Sequence, residues 1–132
     1  MTGTTIPARF QMDNVGGKGR VTYTFADYGG AVGLITLPLE LPDGAIVTGG
    51  VVDVITATTS GGSATIALGL NAANDLLTAT AIASFTGQIE LLDDALVKLT
   101  EDRKVTATVA VAALTAGEFN IYLDYYSPIR GQ

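Results

Sequence analysis

The chain has 132 residues, a length that fits one domain burying about 65–70% of the surface its unfolded form exposes. Only 15% of its residues are charged while 48% are hydrophobic, a composition opposite to that of disordered chains. Net charge is −6 with seven basic residues, and cysteine and histidine are both absent, which argues against nucleic-acid binding and excludes disulfides, thiolate metal sites and histidine-based catalysis.

Residues 1–17 read as an extended N-terminal arm. Ile6 is biased away from helix by Pro7, and Arg9, Phe10 and Met12 offer anchors with no helical period. Val15-Gly16-Gly17 has the glycine density of a bend. No run approaches about 18 apolar residues, so no membrane span is expected. Residues 1–5 lack the charged and apolar regions of a signal peptide, which fits a soluble protein made in the cytoplasm.

From Lys18 the pattern is β, and residues 18–132 read as a single β-sandwich domain. Val21, Tyr23 and Phe25 alternate with Arg20, Thr22 and Thr24. A turn at 27–30 leads into a strand over 31–37, which Pro38 should close because proline cannot donate to a ladder. Leu41-Pro42-Asp43-Gly44 makes a tight turn. The longest β segment spans 45–58, where Gly49-Gly50 marks a bulge or a close backbone approach. Residues 63–70 are expected to return as its hairpin partner.

The single helix is expected next, with Asn74 as cap, Asp75 in the first turn, and Leu76, Leu77, Thr80 and Ala81 at i, i+3, i+4 spacing. A strand over 87–92 follows, then a segment at 95–100 that suits strand or turn. Residues 103–114 and 117–126 read as a closing hairpin. In its second strand Phe119, Ile121, Leu123 and Tyr125 share one face; Asn120, Tyr122, Asp124 and Tyr126 share the other. Short strands with turns at roughly 8–12-residue spacing predict an all-β fold, an antiparallel β-sandwich with one short helix. A jelly-roll topology is preferred, with an immunoglobulin-like sandwich as the alternative.

The strand faces carry the functional information. A sheet with one wet face places Lys, Glu or Arg on its outward positions. In 63–70 and 105–112 those positions hold Thr65, Ala67, Thr106, Thr108 and Ala110. Small, uncharged faces of this kind suit packing against another polypeptide.

Catalytic and metal readings find little support. Glu90, Asp93 and Asp94 lack the spaced oxygen ligands of a calcium loop and read as a solvated turn. Asp53, flanked by valines, should need a partner, with Arg9, Arg20 or Arg103 as candidates for a structural salt bridge. No serine has a histidine to activate it, no second carboxylate sits at acid/base spacing, and the glycine pairs do not open helices. No cofactor is expected. Tyr122, Tyr125 and Tyr126, with Tyr23 and Tyr28, suit a sugar-stacking surface or an interface; without tryptophan, interface or core is the expectation.

The order 41–47 (LPDGAIV), 51–56 (VVDVIT), 63–70 (SATIALGL), 74–77 (NDLL) and 103–109 (RKVTATV) resembles the small structural proteins of tailed bacteriophages that decorate or cement the capsid. The resemblance covers roughly residues 40–126. It implies a non-enzymatic virion subunit on the capsid exterior, made in the host cytoplasm, homo-oligomeric and often trimeric, bound to the major capsid protein. The contacts expected for that role are Ile6, Arg9, Phe10 and Met12 in the arm, Thr65, Ala67, Thr106, Thr108 and Ala110 on the neutral faces, and Tyr122, Tyr125 and Tyr126. The alternative is a carbohydrate- or receptor-binding module of a phage tail fibre or spike.

Overall fold

The structure, a computed structural model, describes residues 16–91 and 96–127. Its elements in order are β1 (Gly16–Thr24), helix α1 (Phe25–Tyr28), β2 (Gly33–Leu41), β3 (Ile46–Ser60), β4 (Thr65–Gly69), β5 (Leu77–Ala81), β6 (Gln88–Leu91), β7 (Val97–Lys98), β8 (Arg103–Ala110) and β9 (Leu114–Tyr126). They form two sheets. Sheet I has the order β1-β9-β3-β6, with β7 also on β3; sheet II has the order β2-β8-β4-β5. Every pairing is antiparallel. Residues 1–15 of the expected arm lie outside the described residues, while Gly16 and Gly17 already pair with Tyr126 and Tyr125.

The sandwich closes because each strand turns its apolar alternation inward. Val21 and Tyr23 of β1, Phe119, Ile121 and Leu123 of β9 and Val47 and Val52 of β3 meet Leu37, Ile66, Leu68, Val105, Ala107 and Val109 of sheet II, all nearly solvent-free. At one end the rings of Tyr23 and Phe119 stack with centroids 4.9 Å apart, and Phe85 meets Phe119 edge-on at 4.9 Å. The Tyr23 hydroxyl donates to the Gly29 carbonyl, so the polar tip of a buried ring is satisfied. Burial pushes the Tyr23 phenol up from its ordinary value. The native state therefore holds the proton more tightly than the unfolded chain, and stability falls as pH rises through the tyrosine range. Tyr23→Phe should cost about 1 kcal/mol in urea unfolding, since it leaves the Gly29 carbonyl without this donor.

The helix lies elsewhere than expected. Residues 77–81 form β5, because the Asp75 carboxylate folds back to accept N–H groups from Leu70, Asn71 and Ala72. That ties a loop where a helical first turn would need an open end, and the threonines that follow favour a strand. The helix present is α1, where Phe25 was expected to extend β1. Thr24 accepts from the Asp27 N–H at its start, and Gly29, at φ 73°, closes it with an N–H to Phe25 O.

β2 runs through Pro38 to Leu41 instead of stopping. It is an edge strand with a register break between Thr36 and Glu40, where a missing donor breaks no ladder. The turn after it forms as read: Ala45 N donates to Pro42 O at 3.1 Å, with Gly44 at φ 86°. In β3 the register shifts between Val47 and Gly49, the bulge that the glycine pair announces. A Cβ on Gly50 would fall 2.3 Å from the Tyr122 carbonyl oxygen, so the close approach is real as well.

Two expected hairpins are not hairpins. β4 pairs with β8 and β5 in sheet II while β3 lies in sheet I, and β8 and β9 likewise belong to different sheets. The link from β8 to β9 reverses at Val111, whose φ of 73° is rare for a β-branched residue, as Ala112 N donates to Ala110 O at 2.9 Å. This tight turn carries the chain across the core instead of back alongside itself. Alternation tells which face of a strand is apolar, not which neighbour it pairs with.

Candidate functional site

The outer face of sheet II gathers the neutral positions into one surface. On its central strand β8, Thr108 stands opposite Leu34 of β2 and Ala67 of β4; Thr106 stands opposite Thr36 and Gly69; Ala110 stands opposite Thr65. Thus Thr65, Ala67, Thr106, Thr108 and Ala110, chosen from two distant segments, are neighbours. Ala67 is only 6% exposed although it belongs to no part of the core cluster, because its outer-face neighbours cover it. The Thr108 hydroxyl oxygen is also buried and has no hydrogen-bond partner.

Charge appears only at one end of this surface, where Glu40 pairs in register with Lys104. Towards the opposite end, where Gly33 pairs with Val109, Val32, Leu34 and Val111 are 57%, 59% and 74% exposed. Sequence reading missed these three. Val32 and Leu34 sit in the strand read over 31–37, whose apolar run does not alternate and so assigns no outer face, and nothing in the residues around Val111 announces its turn.

Sheet I presents a different exterior. Lys18, Arg20, Asp53, Glu90 and Asp124 all lie on it, interleaved with Tyr122 and Val51. Lys18 Nζ lies 2.8 Å from Asp124 Oδ1 with both side chains largely in solvent, and this bond raises the lysine pKa. Salt screens such a pair readily. Asp53 has no arginine partner among the described residues. Its Oδ1 accepts from Gln88 Nε2 at 2.9 Å, and because the residue is only half-buried a neutral donor suffices. Arg103 pairs with Glu101 at 2.7 Å instead, while Arg20 lies across from Tyr122.

The tyrosines separate. Tyr122 and Tyr126 are exposed on the outer face of sheet I, whereas Tyr125 turns inward and packs beside Gly17 and the core. Tyr23 and Tyr28 stack on one another with centroids 5.9 Å apart. Ile6, Arg9, Phe10 and Met12, like Asp93 and Asp94, lie outside the described residues. Among those described, no group of three or more Asp or Glu is placed to hold a metal ion.

Fold and surface together define a class: an antiparallel two-sheet sandwich with one neutral sheet face and one charged one. Chains in solved phage capsid structures share this fold. One, in the acidic stable capsid structure of Helicobacter pylori bacteriophage KHP30, superposes with a TM-score of 0.66 at 16% identity, over 87% of this chain and 90% of that one. A chain of the cyanophage Pam1 capsid asymmetric unit gives 0.66 at 19% identity, over 96% and 90%. A chain of the Ralstonia phage GP4 capsid gives 0.66 at 21%, over 98% and 92%. The resemblance read from residues 40–126 therefore holds at the level of the fold. No protein-family model matches the sequence, and no curated protein matches it.

Proposed function

We propose that this chain is a non-enzymatic structural protein of a tailed-phage virion, a decoration or cement subunit on the capsid exterior that clamps the assembled head. One observation carries the reading: a neutral face on sheet II, built on a fold that recurs in capsid structures. The strand order supports it, since β1-β9-β3-β6 facing β2-β8-β4-β5 interleaves early and late strands as a jelly roll does. An acidic remainder suits solubility at high copy number. The partner is the major capsid protein, and the working form is a homo-oligomer, a trimer matching three-fold positions on a shell.

A protein that binds the assembled state and not free subunits stabilises that state by mass action. Adding purified protein to shells that lack it should raise the temperature at which the genome is released by several degrees. An unchanged release temperature at saturating protein, with no density for the protein on the imaged particle, refutes the decoration role.

A further inference from the structure

Gly49 is a glycine that packing does not explain. It sits at the register shift of β3, yet its φ lies outside the left-handed region, so the bulge itself does not require glycine there. A Cβ built on it meets nothing within 4 Å, whereas its neighbour Gly50 is held bare by the Tyr122 carbonyl. What the missing side chain does leave is space. Gly49 forms part of the floor of an open trough of about 460 Å³ on the outer face of sheet I. Tyr122 and Asp124 of β9 stand on one side of it and Gln88 and Glu90 of β6 on the other, with Val51 on the strand between.

The two sides differ in chemistry. Tyr122, 39% exposed, offers a flat apolar ring ending in a hydroxyl. Glu90 has no ion pair or hydrogen bond among the described residues, so its carboxylate is free to accept, and Asp124 accepts as well beside Lys18. Gln88 gives one N–H to Asp53 and keeps its second N–H and its carbonyl available. The trough thus pairs one aromatic plane with acceptors, a donor and two carboxylates. An anionic ligand is repelled by Glu90 and Asp124, and a purely apolar one strands their hydrogen-bonding capacity. A ligand with an apolar face and a rim of hydroxyls satisfies all of these groups, and the volume lies within the usual range for small-molecule sites.

We propose that this trough is a binding site for a neutral saccharide, with Tyr122 stacking against one sugar face and Gln88, Glu90 and Asp124 bonding its hydroxyls. The site lies on the sheet opposite the neutral face, so a subunit attached through sheet II presents it outward. Bound weakly at many copies, such a site gives a particle avidity for glycan-coated surfaces.

The experiment is an amide NMR titration of the intact protein with maltotriose, N-acetyllactosamine and diacetylchitobiose, with trilysine as the contrasting probe. At least one sugar should shift the amides of Val51, Gln88, Glu90 and Tyr122 with a dissociation constant on the order of 1 mM. Gly49→Val fills the floor with a strand-favouring side chain, so it should weaken binding by at least about tenfold without lowering the thermal midpoint. Tyr122→Ala, on an outward position, should weaken it equally. The proposal is overturned if none of the three sugars shifts these amides, if Gly49→Val binds as well as the parent, or if trilysine alone shifts them. Attachment to shells is scored separately and does not depend on the outcome.

Discussion

Gly69→Ala should lower stability by at least about 3 kcal/mol, a fall in thermal midpoint of roughly 10 °C or more. Gly69 closes β4 opposite Thr106 and is buried. A methyl group there would sit 1.8 Å from the Ala72 carbonyl oxygen and 2.7 Å from the carbonyl carbon of Ala73, so backbone must move. The loop cannot yield freely. The Asp75 carboxylate accepts N–H groups from Leu70 at 2.7 Å, Asn71 at 3.0 Å and Ala72 at 3.1 Å, and Leu76 N donates to Leu68 O at 3.0 Å.

Asp75→Ala removes three acceptor contacts and should cost about 2–3 kcal/mol by itself. Because the same carboxylate presses the loop over Gly69, the double variant should cost at least about 1 kcal/mol less than the sum of the singles. Chemical denaturation of all four proteins measures this. Strict additivity would mean that Asp75 does not hold the Ala72 carbonyl in place, and the collision would then need another explanation.

The same loop shows where sequence reading succeeds and where it stops. The charge-free outer faces of 63–70 and 105–112 were legible because period-two alternation assigns faces within each strand. That these two segments pair was not legible, because pairing depends on which strands share a sheet, and an apolar face on any strand suits the same core. For that reason β3 with β4, and β8 with β9, read as hairpins although each pair spans the two sheets. By propensity alone Asp75 suits a helix start. The backbone donors that it holds lie three to five residues upstream, and a local helical spacing cannot reveal them.

The candidate surfaces follow the same division. Turn chemistry placed the Pro42–Gly44 turn and the bulge at Gly49 correctly, since proline and glycine act through local geometry. The trough beside Gly49 needed β6 brought against β3, a long-range pairing. Tyr122, Tyr125 and Tyr126 looked like one cluster in the chain, yet alternation along β9 sends Tyr125 into the interior. The neutral face and the trough thus end up back to back, a consequence of two sheets sharing one core.

On the proposed decoration role, Thr108→Lys should strongly weaken attachment to phage shells while leaving the isolated domain folded. Thr108 points outward from the middle of sheet II, between Leu34 and Ala67, and a lysine there keeps its stem on the sheet and its ammonium in water. The cost to folding should stay within about 2 kcal/mol, since Thr108 is half-buried and the longer stem must displace the neighbours that cover its hydroxyl. Under a docked partner the same ammonium loses its water without gaining a counter-ion, since no acid lies beside it on the face. A buried, unpaired charge costs several kcal/mol, so attachment should weaken by at least about a hundredfold in co-sedimentation with shells. Thr108→Val makes the opposite prediction. It keeps shape, deletes a buried hydroxyl oxygen that has no partner, and should stabilise the domain by about 1 kcal/mol with attachment intact. Lys18→Ala, on the far sheet, should leave attachment unchanged. If Thr108→Lys attaches as well as the parent, the neutral face of sheet II is not what meets the shell, and its lack of charge has some other cause.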